Sequence, residues 1–136
     1  MAKITGGCRC GAIRYETDAD PVVIVNCHCR DCQRVSGSGY SAFMILPKAA
    51  VKVSGGPRFY RTVGDSGSGV ERGFCPTCGA PVVSKLDRLP DIIGLAAASL
   101  DDPSVYKPAL DIFTASAQPW HEMLASTQKK SRALAD

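Results

Sequence analysis

Phe74-Cys75-Pro76-Thr77-Cys78-Gly79 is the stretch on which the fold turns. It has the form of a zinc knuckle. Two thiols sit on a tight turn, proline stiffens it, and glycine tolerates the left-handed backbone such turns need. Val70 to Phe74 leads in and Ala80 to Ser84 leads out, both with strand character. A turn with two ligands is half of a tetrahedral site, so a second pair must come from elsewhere. Cys8-Arg9-Cys10-Gly11 supplies it and also ends in Cys-Gly. Closing the two pairs on one metal ties the start of the chain to its middle. Such binding contributes directly to folding, on the order of ten kcal/mol in small zinc peptides. The competing explanation is reduced cysteines packed as small hydrophobes, which does not account for paired spacing.

Of seven cysteines, three remain, all in Asn26-Cys27-His28-Cys29-Arg30-Asp31-Cys32. Three thiolates leave one zinc position for water or substrate, the usual mark of a catalytic site. A substrate thiol suits that position because soft sulfur binds the metal well, and an oxygen substrate would be polarised there. His28 lies between two ligands, and on an extended segment its side chain points away from them. It is expected beside the metal or in the core rather than on the metal. His121 is a remote candidate for a fourth ligand. A second closed site, or a redox dithiol at Cys29 and Cys32, is the alternative. Ser36-Gly37-Ser38-Gly39 offers either backbone N–H groups to a carboxylate or an ordinary turn. Arg30, Arg34 and Arg72 are candidates for an anionic substrate, or plain surface cations.

Around these motifs the chain reads as short strands separated by turns. Ala12 to Thr17 alternates as a half-buried strand does. Val22 to Val25 is β-branched throughout and is expected to be buried on both faces. Residues 29–36 suggest one or two helical turns. Strands follow at Tyr40 to Leu46, Val51 to Val53 and Arg58 to Val63, then a loop from Gly64 to Gly69. Further strands are expected at Ile92 to Leu100 and Leu110 to Thr114, separated by the Asp101-Asp102-Pro103 turn. After Pro119, the spacing of Trp120, Met123 and Leu124 suggests a helix, and the tail from Gln128 is polar and expected to be loose. The whole is mainly β, and residues 1–136 are expected to form a single zinc-binding domain.

Composition narrows the function. The 136 residues carry a formal charge of +3 with no long basic block, so nucleic acid is not an expected partner. No apolar run is long enough for a secretory signal or a membrane span. An odd number of close-spaced cysteines suits a reducing compartment, and the cytoplasm is the expected location.

The motifs together resemble the glutathione-dependent formaldehyde-activating enzyme family, which includes centromere protein V-like proteins. The similarity runs from Gly6-Gly7-Cys8-Arg9-Cys10-Gly11 through Asn26 to Gln33 and Gly73 to Gly79. It continues into Ala98-Ser99-Leu100-Asp101-Asp102-Pro103 and Pro119-Trp120. All seven cysteines fall where the family pattern wants them. The resemblance implies a β-tent fold of small antiparallel sheets stapled by zinc. It implies two Zn2+ per chain: a structural ion on Cys8, Cys10, Cys75 and Cys78, and a catalytic one on Cys27, Cys29 and Cys32. It also implies a carbon–sulfur lyase that makes or splits S-(hydroxymethyl)glutathione, with glutathione or a similar small thiol as partner. The competing classes are a zinc-stabilised binding module and a redox or metal-handling protein.

Overall fold

A computed structural model describes residues 3–64 and 67–133. The chain forms β1 (Ile4–Gly7), β2 (Arg14–Thr17), β3 (Val23–Cys27), α1 (Arg30–Ser36), β4 (Ser41–Pro47) and β5 (Val51–Ser54). It continues with β6 (Arg58–Val63), β7 (Gly69–Phe74), β8 (Pro81–Leu86), β9 (Leu89–Ala96), β10 (Leu110–Ile112) and β11 (Gln128–Lys129). Short 3-10 turns fill several of the gaps. The expected mainly β character is what the chain shows.

Two sheets result. One has the order β1-β2-β5, and the other β11-β10-β3-β4-β9-β8-β7-β6. Pairing is antiparallel except around β10, which runs parallel to both β3 and β11. Ser41 to Pro47 reads as a continuous apolar run because β4 is central and covered on both faces. Met44 and Leu46 join Ile4, Ile13, Tyr15, Val82, Val83, Ile93 and Leu95 in the core shared with the smaller sheet. Ile45 faces the other way, into a cluster with Val25, Cys27, Cys32 and Ile112. Alternation along a strand thus sends neighbouring residues to two different cores.

The sequence expectations hold for most elements and fail at four. The strand expected from Ile92 to Leu100 starts earlier and ends at Ala96, and Ala97–Ser99 turns the chain away. No helix follows Pro119. Trp120 is 69% exposed and Leu124 54%, so the apolar stripe has nothing to bury against. An isolated helix of that length needs such burial to form. The segment makes a single turn instead, with the His121 N–H bonded to the Gln118 carbonyl. The polar tail is not loose at its start, because β11 pairs with the outer edge of β10 through backbone bonds that polarity does not predict. Val22 is 63% exposed and lies outside β3, although the strand centre is buried as expected. Of the loop from Gly64 to Gly69, Asp65 and Ser66 lie outside the described residues, as do the last three residues of the tail.

Asp101 fastens the small sheet to the turn after β9. It accepts hydrogen bonds from both terminal nitrogens of Arg14 and from Thr5 Oγ1, and Gly6 bridges to Leu100. The Arg14 guanidinium, with Thr5, lowers its carboxyl to about 2. An unfolded aspartate titrates at about 3.9. The contribution to stability is therefore complete above that value and lost as pH falls from about 4 to about 2. Asp101→Asn is expected to lower the urea midpoint at pH 6. The gap between variant and wild type is expected to shrink as unfolding is measured at successively lower pH.

Candidate metal centres

The knuckle at Cys75 to Cys78 and the turn at Cys8 to Cys10 meet. Their four Sγ atoms all lie within 4.8 Å of one another. Cys8 and Cys10 sulfurs are 3.6 Å apart, and Cys10 and Cys75 sulfurs 3.7 Å. The two turns share a design that the repeated Cys-Gly-Ala signals. Gly11 and Gly79 both take left-handed backbone, at φ 83° and 78°. Each turn closes back on itself, Cys8 N–H to Ile13 O and Cys75 N–H to Ala80 O. The closure aims backbone N–H groups at sulfur: Ile13 at Cys8, and Thr77 and Cys78 at Cys75. Ala12 does the same for Cys10, and Ala80 and Cys10 for Cys78.

These bonds favour thiolate. The Ile13 N–H holds the Cys8 thiol down to about 6. The Ala80 and Cys10 N–H groups lower Cys78. At Cys10 the Ala12 N–H pulls down, but the neighbouring Cys8 sulfur and desolvation outweigh it and push the thiol up to about 11. The donor set, four sulfurs with backbone N–H support, fits a tetrahedral metal ion such as zinc.

The middle cluster forms where β3 ends and α1 begins. Cys27, Cys29 and Cys32 place their sulfurs within 4.8 Å of one another. Cys29 is the N-cap of α1, and its Sγ accepts the Cys32 N–H at 3.3 Å. The Cys27 and Cys32 thiols, that N–H and the Arg72 charge hold Cys29 far below the ordinary thiol range. Hydrogen bonding to Cys29 and Cys32, with burial, drives Cys27 well above it. At Cys32 the Cys27 thiol pulls down, while Cys29 and burial push up to about 11. The three sulfurs therefore compete for protons, as ligands of one cation do in its absence. Among the described residues no fourth Cys, His or carboxylate joins this set. His121 is not the remote ligand that its position allowed. Its ring stacks on Tyr40 at 4.7 Å and lies 5.2 Å from His28.

His28, the residue after β3, turns to Asp111 rather than to the sulfurs, as expected for an extended segment. It is fully buried, and its Nε2 meets Asp111 Oδ1 at 2.6 Å while Nδ1 has no partner. Asp111 also accepts from Thr127 Oγ1 and lies 3.6 Å from Lys129 Nζ. Gln33 adds a clamp, donating to the His28 and Ser116 carbonyls. Sequence reasoning missed Asp111. Its signal was a charge between two apolar residues in a strand, which demands a buried partner. It also missed Phe113, the sole non-glycine with positive φ among the described residues, at 53°, which packs against the sulfur-bearing cluster. Of the candidate cations, Arg30 bonds Gln33, Arg34 is exposed, and Arg72 reaches Cys32. Ser36 to Gly39 is an ordinary turn: the Ser38 and Tyr40 N–H groups are taken by Ser36 and Ser38 hydroxyls.

The mainly β chain thus carries two cysteine clusters that could each hold a metal ion. The family model of the glutathione-dependent formaldehyde-activating enzyme matches residues 3–116, and the chain belongs to that family. The fold is also similar to the crystal structure of a Rhodobacter sphaeroides structural-genomics protein. The two share 21% identity with a TM-score of 0.59, covering 76% of this chain and 96% of that one. No helix among the described residues is long and apolar enough to cross a membrane.

Removing Asp111 leaves buried His28 without its partner, while Thr127 keeps only the Leu124 carbonyl. Asp111→Ala is expected to cost about 3 kcal/mol in urea unfolding, since breaking a buried pair exposes the full desolvation cost. His28→Leu removes the other partner, and the double variant is expected to lose less than the sum of the two.

Proposed function

We propose that residues 1–136 act as one domain, a zinc-dependent carbon–sulfur lyase of the S-(hydroxymethyl)glutathione synthase kind. Cys8, Cys10, Cys75 and Cys78 hold a structural zinc, and Cys27, Cys29 and Cys32 hold a catalytic one. The substrate is glutathione or a related small thiol and its aldehyde adduct. One observation carries the reading: the middle cluster offers three sulfurs and, among the described residues, no fourth ligand. Membership of the formaldehyde-activating family supports the same reaction class.

Bound at three thiolates, zinc supplies Lewis acidity and a soft partner for a substrate sulfur. The chain does the rest. The N-cap position of Cys29 and the Cys32 N–H orient one sulfur. The apolar side chains of Phe43, Ile92 and Phe113 pack around the site and limit water. In the reaction, a C–S bond forms between the thiol sulfur and the aldehyde carbon, and the thiol proton ends on the aldehyde oxygen. The reverse splits the adduct, and nothing is oxidised or reduced. Seven free cysteines suit a reducing compartment, which supports the cytoplasm as location.

Metal quantification with glutathione calorimetry tests the proposal. Wild type is expected to hold two zinc ions and bind glutathione in the millimolar range or tighter. Cys32→Ser is expected to keep one ion and its melting transition while losing turnover. Cys78→Ser is expected to lose the cooperative transition. A protein with both ions bound that takes up no glutathione overturns the assignment of substrate.

A further inference from the structure

The sheet face that bears the middle cluster extends beyond it. Arg72, Ser84, Gly94 and Ile45 are successive cross-strand partners on β7, β8, β9 and β4. Their side chains therefore stand on one face. Ile45 belongs to the cluster that contains Cys27 and Cys32. The side chains of Ser84, Ile45 and Phe43 close over Gly94, which is buried. A Cβ there would lie 2.6 Å from Ser84 Oγ and 3.5 Å from both Ile45 Cδ1 and Phe43 Cδ1. Arg72 closes the row. Its Nη1 donates to Thr62 Oγ1 at 2.9 Å, and its Nη2 lies 4.0 Å from Cys32 Sγ.

The partners of Arg72 differ from those of Arg14 and Arg61, and unlike the exposed Arg58 it is half-buried. Arg14 and Arg61 each spend both terminal nitrogens on an aspartate, Asp101 and Asp87. Arg72 has no carboxylate partner among the described residues, and it is half-buried. One hydroxyl steadies the guanidinium and leaves most of its donors unspent. A planar fork of this kind matches a carboxylate, and partial burial strengthens the attraction.

We propose that Arg72 takes the carboxylate of an anionic thiol whose sulfur enters the three-cysteine site. Arg72 is thus the residue that selects charged over neutral thiols. The assignment rests on the middle cluster being a thiol-binding metal site, but not on the carbon–sulfur reaction itself. Arg72 Nη2 already lies 4.0 Å from Cys32 Sγ, so a short thiol carboxylate reaches both.

The test uses the zinc-loaded full chain with two small thiols, 3-mercaptopropionate and 2-mercaptoethanol, followed by calorimetry with zinc content measured alongside. Wild type is expected to bind the anionic thiol more tightly. Arg72→Gln is expected to weaken that binding roughly tenfold or more, the loss of a charge-assisted contact. Binding of the neutral thiol and the zinc content stay unchanged. Arg72→Lys, which keeps the charge without the fork, is expected to recover part of the loss. Equal weakening of both thiols, or loss of zinc from Arg72→Gln, overturns the proposal and makes Arg72 a counter-charge to the sulfurs. Wild type that does not distinguish the thiols also overturns it. Wild type that distinguishes them, with the Arg72→Gln loss, but neither forms nor splits the glutathione–formaldehyde adduct leaves the carboxylate site standing and removes the proposed reaction.

Discussion

Four sulfurs brought within 4.8 Å by two distant turns are the constraint on which the rest of the molecule depends. Thiolates at that spacing repel one another unless a cation lies between them. Backbone N–H groups aimed at each sulfur reduce the cost of the charge without removing the need for the cation. The consequence is topological. The turn after β1 is fastened to the turn between β7 and β8, so the three-stranded sheet is held over one face of the eight-stranded sheet. Ile13, Cys8 and Cys75 are buried in the same core as Met44 and Leu95. Short strands with few internal contacts gain from such a fastening more than a large core would.

The second cluster answers a different demand. Its sulfurs come from one continuous segment, so no long-range closure is needed to assemble them. What needs support is the orientation of that segment. A central strand delivers Cys27, the first turn of α1 fixes Cys29 and Cys32, and buried Asp111 anchors His28 from behind. The parallel pairing of β10 with β3 makes this possible, because it sets Ile112 beside Cys27 and lets the Ile112 carbonyl take the His28 N–H. Asp111 thus holds the segment from behind, and the sheet face that bears the cluster runs on past Gly94 to Arg72.

Much of this could be read from residue order. Knuckles announce themselves by spacing, and the Cys-Gly ending shared by Cys8 to Gly11 and Cys75 to Gly79 is a partial echo of the two turns that the structure brings together. Strand positions followed from alternation and from punctuation by glycine and proline. The misreadings share a cause. The stripe at Trp120, Met123 and Leu124 had helical spacing, but spacing says nothing about whether a surface exists to cover it. The polar residues of β11 looked loose because a strand held by backbone bonds at a sheet edge leaves no hydrophobic signature. Asp111 was passed over because its partner His28 lies far away in sequence.

The sequence by itself determined the two cysteine groupings, the mainly β character and the family, since each depends on residue types at short, local spacings. Only the tertiary structure decided what surrounds the knuckle at Phe74 to Gly79 and the three cysteines at the end of β3. It removed His121 from the candidate ligands by stacking it on Tyr40, paired His28 with Asp111, and brought Arg72 to Cys32. These are contacts between segments distant in the chain. Their existence depends on sheet order and register, which no local pattern encodes.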